Sequence, residues 1–99
     1  MSFGAYLKRL REDARLTQGQ LARKCDLSDA YINQIETRRT DPPTRQVCKA
    51  LARALTADER ELWKRAFTAR LDRWLKKEGF KGPSSELLAN FFESLTKRE

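Results

Sequence analysis

Apolar residues recur at helical spacing from the start of the chain. The first set follows intervals of four, three and four residues, which places its members on one side of a helix: Phe3, Leu7, Leu10 and Ala14. We therefore predict a first helix over residues 2–14. Thr17, with Gln20 three residues later, has the pattern of a capping box and predicts a second helix that runs to about Cys25.

Residues 18–37 have the pattern of two short helices joined by a tight turn. The apolar positions of both helices would face inward, and a small side chain among them would allow a close crossing: Leu21, Ala22, Ile32 and Ile35. Asp26 and Leu27 supply a break and an apolar plug, and Ser28 supplies an N-cap for a third helix ending near Glu36. The second helix of such a unit can lie in the major groove of DNA.

A loop and a fourth helix follow. Pro42 and Pro43 predict a loop over residues 37–43, because two prolines do not fit inside a helix. Residues 44–54 then form a fourth helix. Its inward positions are Val47, Ala50, Leu51, Ala54 and, just beyond it, Leu55.

The last 44 residues predict two further helices. Thr56 and Glu59 have the spacing of a second capping box, which would open a long fifth helix ending near residue 78, before Gly79. Ser84 or Ser85 then caps a final helix. Its apolar face is formed by Leu87, Leu88, Phe91, Phe92 and Leu95.

These C-terminal helices are rich in aromatic residues. Both tryptophans and most of the phenylalanines lie after residue 60, which exceeds what a small helical domain needs for itself. We predict that this region pairs two copies of the chain, with the alternative that the last helix folds back on its own domain. The expected dimer interface consists of Trp63, Phe67, Leu71, Trp74, Leu88, Phe91, Phe92 and Leu95.

The net charge of +7 favours polyanionic partners, because binding nucleic acid releases its counterions. Eleven basic and six acidic residues precede residue 56, so the positive excess lies mainly with the helix-turn-helix pattern. A merely solvated basic surface is the alternative. A length of 99 residues allows one compact domain, or a minimal domain with a structured extension.

The sequence lacks the residues that several classes of function need. Cys25 and Cys48 are the only cysteines and there is no histidine, so we predict no metal site and expect both thiols to act as small buried residues. We find no nucleophile–base pair and no glycine-rich phosphate loop, and we therefore predict no enzymatic activity and no cofactor. Neither a signal peptide nor a membrane-spanning run is visible, which suggests a cytoplasmic, nucleoid-associated protein.

Residues from about 3 to 55 resemble the phage-repressor-like, Xre-type helix-turn-helix family. The residues that carry the resemblance are Leu7, Leu10, Arg11, Glu12, Leu16, Thr17, Gln18, Leu21, Ala22, Leu27, Ser28, Ile32, Ile35, Glu36, Pro42, Leu51, Ala52, Ala54 and Leu55. The set as a whole, in this order, is highly specific. No family pattern is identified for the residues that follow.

The resemblance implies a lambda-repressor-like five-helix fold whose third helix enters the major groove of double-stranded DNA. By position, the residues facing the bases would be Ser28, Asp29, Ala30, Asn33 and Gln34. Those contacting phosphates would be Gln18, Tyr31, Arg38, Arg39, Thr40 and Arg45. Arg11 and Glu36 match a structural ion pair that joins the first helix to the end of the third.

Two positions depart from the family pattern. Asp26 stands where the turn usually has glycine, and aspartate tolerates the left-handed conformation better than most residues. Asp29 places a carboxylate at the first exposed recognition position, where it would repel phosphates but could accept a hydrogen bond from a cytosine amino group. It would thereby restrict the DNA sequences bound, or indicate that this helix contacts a protein.

We therefore expect an all-α protein with two parts: a DNA-binding domain over residues 1–55, and a helical dimerisation or partner-binding region over residues 56–99, with a long helix and a C-terminal amphipathic helix. The first hypothesis is a sequence-specific transcriptional regulator that binds an inverted repeat as a homodimer. The second is a protein-interaction regulator whose aromatic C-terminal helices bind another protein, with weak or nonspecific DNA binding.

Overall fold

The computed structural model describes residues 2–79, 90, 92–95 and 97, and it contains no strand among them. Its helices, in chain order, are α1 (Phe3–Asp13), α2 (Gln18–Cys25), α3 (Asp29–Glu36), α4 (Arg45–Leu55) and α5 (Glu59–Lys77). Residues 90 and 92–95 are also helical. The predicted all-α class is confirmed. The predicted beginning of the final helix, at Ser84 or Ser85, lies outside the described residues.

Each of these helices begins after a polar residue that caps it. The capping side chain accepts a hydrogen bond from a backbone N–H in the first turn, and the caps are Ser2, Thr17, Ser28, Thr44 and Asp58. Thr17 and Gln20 form the reciprocal capping box that the sequence predicts. Such caps stabilise a helix by about 1 kcal/mol each, so local chemistry accounts for where these helices begin.

One predicted cap is wrong. Thr56 ends α4 in the left-handed conformation, with φ of 51°, and the N–H of Ala57 donates to the carbonyl of Ala52 at 2.9 Å. The cap of α5 is Asp58, which accepts from the N–H of Glu61 at 3.1 Å. Thr56 is needed to reverse the chain between the two helices, so the next polar side chain takes the capping position.

The apolar core draws on all of these helices. Its buried members are Phe3, Leu7, Leu21, Ala22, Ile32, Ile35, Cys48, Leu51, Leu55, Leu62 and Ala66. Two of them, Leu62 and Ala66, belong to α5. The core therefore extends past residue 55, where we expected the first domain to end, and includes the first half of α5.

α1 crosses the end of α3 at a glycine. A Cβ atom on Gly4 would lie 2.6 Å from the carbonyl oxygens of both Ile35 and Glu36, which is far inside contact distance. Only a residue without a side chain allows this approach. The crossing sets the distance between α1 and α3, and Arg11 lies two helical turns further along α1.

Candidate nucleic-acid interface

α2 and α3 form a helix-turn-helix unit through three local contacts. Asp26 adopts the left-handed conformation, with φ of 57°, and the N–H of Leu27 donates to the carbonyl of Ala22 at 2.8 Å. The side chain of Ser28 then accepts from the N–H of Tyr31 at 3.1 Å. The turn forms without glycine because aspartate is among the residues that tolerate this conformation.

The outward surface of α3 is polar and largely exposed. Asp29, Ala30 and Gln34 are exposed, as is the cap Ser28, whereas Asn33 is half-buried. Ile32 and Ile35 are buried on the opposite side. The helix therefore packs by one side and presents the other, with a mixture of hydrogen-bonding groups and one methyl group.

A buried polar network holds the C-terminal end of α3. The guanidinium of Arg11 donates twice to the carboxylate of Glu36, at 2.7 and 3.0 Å, and its third nitrogen donates to the carbonyl of Leu16 at 2.9 Å. The Arg11 side chain is 11% exposed and that of Glu36 only 2%. The bonded carboxylate raises the pKa of Arg11, and the two-pronged geometry fixes α1 against α3.

The network continues through two amides. Gln18, at the start of α2, donates to Glu36 Oε1 at 3.1 Å and accepts from the Asn33 amide at 3.4 Å. Both side chains were expected to face DNA, Asn33 toward a base and Gln18 toward a phosphate. In the protein without DNA they are bonded to one another, so Gln34 is the amide of this set that stays exposed.

The carboxylate of Asp29 lies over the first turn of α2. A Cβ atom on Gly19 would meet Asp29 Oδ2 at 3.0 Å and the guanidinium of Arg23 at 3.6 Å. A carboxylate near the N-terminal turn of a helix is favoured by the helix dipole. This position of Asp29 was not foreseen, because nothing in the local pattern connects it with Gly19.

Four of the six residues expected to contact phosphates lie in the loop between α3 and α4 or at the start of α4, whereas Gln18 lies on α2 and Tyr31 on α3. Arg38 is exposed and adopts a left-handed conformation with φ of 64°, and Arg39 beside it is also exposed. Arg45 is exposed at the start of α4, while Thr40 is half-buried. Tyr31 is half-buried as well, and burial raises the pKa of its hydroxyl.

Aromatic residues of the expected dimer interface occupy different environments. The Phe67 ring packs at a tilted angle against Trp63, with ring centroids 5.9 Å apart, and against Phe92 at 5.4 Å, and Phe92 is buried within the chain. Trp74 and Leu95 are 52% and 58% exposed. Leu71 is half-buried, and Leu88 and Phe91 lie outside the described residues.

Two arginines that sequence reasoning did not single out reach the loop after α3. Arg70 and Arg73, both on α5, donate to the backbone carbonyls of Pro42 and Thr40, respectively. They are 28 and 33 residues away from these partners, so no local spacing would have revealed them. The chain also contains many other arginines, so these two do not stand out in the sequence.

Two negative findings concern only the part of the chain that the structure describes. No group of three or more His, Cys, Asp or Glu side chains is arranged to hold a metal ion there. None of the helices in that part is long and apolar enough to cross a membrane.

Comparison with known proteins agrees with the geometry of α2 and α3. A family model described as a helix-turn-helix domain matches residues 2–63. This confirms the resemblance found in the sequence, and a domain of this kind indicates a DNA-binding regulator. Neither the curated proteins nor the solved structures that were compared include a match to the chain.

Proposed function

Because the chain belongs to the helix-turn-helix domain family, we propose that it is a sequence-specific transcriptional regulator that binds an inverted-repeat operator as a homodimer. The observation that carries this proposal is α3, whose one side is fixed in the core while the other presents polar groups to solvent. A rigid helix of this kind can enter the major groove and read base edges.

Base contacts are assigned to the exposed surface of α3. Gln34 can donate and accept together, which suits the adenine N6 and N7 edge, and the methyl group of Ala30 suits a thymine methyl. Asp29 would accept from a cytosine amino group, with Ser28 beside it at the helix start. Asn33 joins this set if its 3.4 Å bond to Gln18 is exchanged for a base contact.

Phosphate contacts are assigned to the basic residues around the recognition helix. Arg38, Arg39 and Thr40 follow it, Arg45 begins α4, and the backbone of Gln18 lies in the first turn of α2, where anions are favoured. Tyr31 is the remaining candidate. The net charge of +7 supports this assignment, since most nonspecific affinity for DNA comes from phosphate neutralisation.

Homodimerisation is assigned to the exposed apolar residues of the C-terminal part. Trp74 and Leu95 are the two large apolar side chains that stand out as exposed among the described residues. Pairing two copies would place two recognition helices on half-sites about 34 Å apart. The same exposed residues favour a second candidate function, in which they bind a different protein and DNA binding is weak.

Selection of binding sites from random duplex DNA, at low and at physiological salt, tests the proposal. We expect enrichment of a palindromic sequence and an affinity that falls steeply with salt, because several phosphates are neutralised. Salt-sensitive binding without an enriched sequence would leave only a nonspecific DNA-binding protein. Absence of binding at both salt concentrations would favour the protein-interaction function.

Two substitutions separate base contacts from phosphate contacts. Gln34→Ala should relax the preference at one base position, at a cost of about 1–3 kcal/mol for the preferred base. Arg39→Ala should weaken binding to all sequences alike and lower the salt slope by about 1. If both variants bind every sequence as the unmodified protein does, the assignment of α3 to the groove is wrong.

The dimer is best tested in the full chain. Removing residues after Thr56 would take Leu62 and Ala66 out of the core, so a truncated chain would report on folding instead. Trp74→Glu should convert a dimer to a monomer in sedimentation experiments, and Lys8→Glu, an exposed position on α1, is the control. A Trp74→Glu protein that remains dimeric would place the interface elsewhere.

A further inference from the structure

The second half of α5 reaches the loop after the recognition helix through two arginines. The guanidinium of Arg70 donates to the carbonyl of Pro42. Arg73 donates to the carbonyl of Thr40 at 2.7 Å and forms an ion pair with Asp41 at 3.2 Å. Arg70 and Arg73 lie one helical turn apart, so both project toward the same segment of loop. We name this pair of arginines the α5 strap.

The loop has different supports along its length. Arg38 and Arg39 donate their backbone N–H groups back to the end of α3, at 3.3 and 2.9 Å. Pro43 is buried at the other end. Across the part of the chain that the structure describes, the backbone of residues 40–42 has hydrogen bonds from the α5 strap alone. The strap therefore supports the middle of the loop.

A cleft lies beside the strap. A cleft of about 610 Å³ separates this part of α5 from α1 and from the end of α3, and its lining includes Gly4, Ile35, Arg38, Thr40 and Thr68. Arg65 on α5 also lines this cleft, and its guanidinium lies over the Tyr6 ring of α1, 4.1 Å from the ring centroid. In this region the helices meet through long side chains.

We propose that Arg70 and Arg73 are positioning residues for DNA binding: they hold the loop so that Arg38 and Arg39 face the phosphate backbone. This inference rests on the proposed function, in which those two arginines contact phosphates. A loop ordered before binding loses little conformational entropy when it meets DNA. Without the strap, that ordering occurs at the moment of binding and lowers the affinity.

The first measurement is the affinity of the full chain for a duplex that carries the selected sequence, or a mixed-sequence duplex if none is enriched. Arg70→Gln with Arg73→Gln should weaken binding roughly tenfold, the effect of freeing about one loop residue. Adding Arg39→Gln to this double variant should weaken binding by less than about a further twofold. In the otherwise unmodified chain, Arg39→Gln should weaken binding several-fold. The unequal effect is expected because the strap acts through the loop arginines.

The control variant removes the same amount of charge elsewhere. Arg53→Gln with Lys77→Gln also deletes two exposed cations, and neither side chain has a hydrogen bond or ion pair within the described residues. This control should keep most of the affinity and the full effect of Arg39→Gln. If Arg39→Gln weakens binding equally with and without the strap, Arg70 and Arg73 contact DNA independently and the proposal is overturned.

A second measurement needs no DNA. Trypsin cleaves after Arg39, which is exposed, and removal of the strap should raise the cleavage rate at that bond several-fold in the folded protein. The control variant should be cleaved at the original rate. An unchanged rate in the strap variant would refute the strap itself, whereas an unmodified chain that binds no duplex would refute the proposed function and the role that rests on it.

Discussion

α3 and the loop that follows it are held by arginines in opposite environments. Arg11 binds Glu36 with side chains only 11% and 2% exposed, whereas Arg73 binds Asp41 with side chains 50% and 70% exposed. An arginine–carboxylate ion pair therefore serves two purposes in this protein. A buried pair that loses one partner leaves an uncompensated charge, while an exposed pair contributes little to stability and can be altered without unfolding the chain.

The largest expected effect comes from breaking the buried pair on one side. Arg11→Met leaves the Glu36 carboxylate almost out of water with the amide of Gln18 as its remaining donor. The free energy of unfolding should fall by about 3 kcal/mol, near the lower limit for buried pairs because Arg11 is partly exposed. Urea denaturation followed by circular dichroism measures this change.

The matched control is the neutral double variant. Arg11→Met together with Glu36→Gln removes both charges, and it should recover part of the loss because no carboxylate is left unpaired. A double variant whose loss equals the sum of the two single losses would show that the two charges act independently, and the contrast between the buried and exposed pairs would fail.

The next effect concerns the crossing that brings Arg11 to α3. Gly4→Ala places a methyl group 2.6 Å from two backbone carbonyl oxygens, so α1 must move away from α3. We expect a loss of about 2 kcal/mol in the free energy of unfolding, within the range for forced overpacking. Ala5→Ser changes the adjacent exposed position and should leave stability almost unchanged. A stable Gly4→Ala protein would mean that the crossing adjusts at little cost.

A thiol under the far end of the loop provides a pH-dependent test. Cys48 is buried and donates weakly to the carbonyl of Pro43, and burial raises the pKa of its thiol to about 12. The folded state thus favours the protonated thiol. Stability from this group is fully present below the pKa of the unfolded chain, about 8.5, and is lost as the pH rises toward 12.

Between pH 8 and pH 10, the wild type should lose about 2 kcal/mol more stability than Cys48→Ala, because about 1.4 pH units of this window lie above the unfolded pKa, as measured by urea denaturation at each pH. Cys25→Ala is the control, since Cys25 is half-buried and its pKa is raised less far. Parallel pH profiles for wild type and Cys48→Ala would show that the thiol ionises without opening this end of the loop.

How far the sequence predicts this molecule depends on the distance between interacting residues. The caps Thr17 and Ser28 and the turn at Asp26 are local, and all three were predictable because each acts within four residues of its own position. Thr56 was assigned wrongly because two helix ends compete for the same few residues. Local spacing identifies a capping motif. It does not show which of two adjacent helix ends uses a residue, such as Thr56, that could serve either.

Contacts between distant segments were predictable only where a family resemblance supplied them. Arg11 and Glu36 are 25 residues apart, and the resemblance alone suggested their pairing. Arg73 and Thr40 are 33 residues apart, and the family model ends at residue 63, so the resemblance does not extend to Arg73. Gly4 is similar, since a close approach of two backbones leaves no repeating pattern of apolar residues. Neither contact follows from the spacing of residues along the chain.

The smallest expected change in stability comes from the exposed arginine. Arg73→Gln removes an ion pair to Asp41 and a bond to the carbonyl of Thr40, both at the surface. The free energy of unfolding should fall by less than about 1 kcal/mol, several times less than for Arg11→Met. Asp41→Asn, which removes only the ion pair, is the control and should have a smaller effect still. If Arg73→Gln instead destabilises the protein as much as Arg11→Met does, the loop after α3 belongs to the stable core, and the second half of α5 is as necessary to the fold as the first.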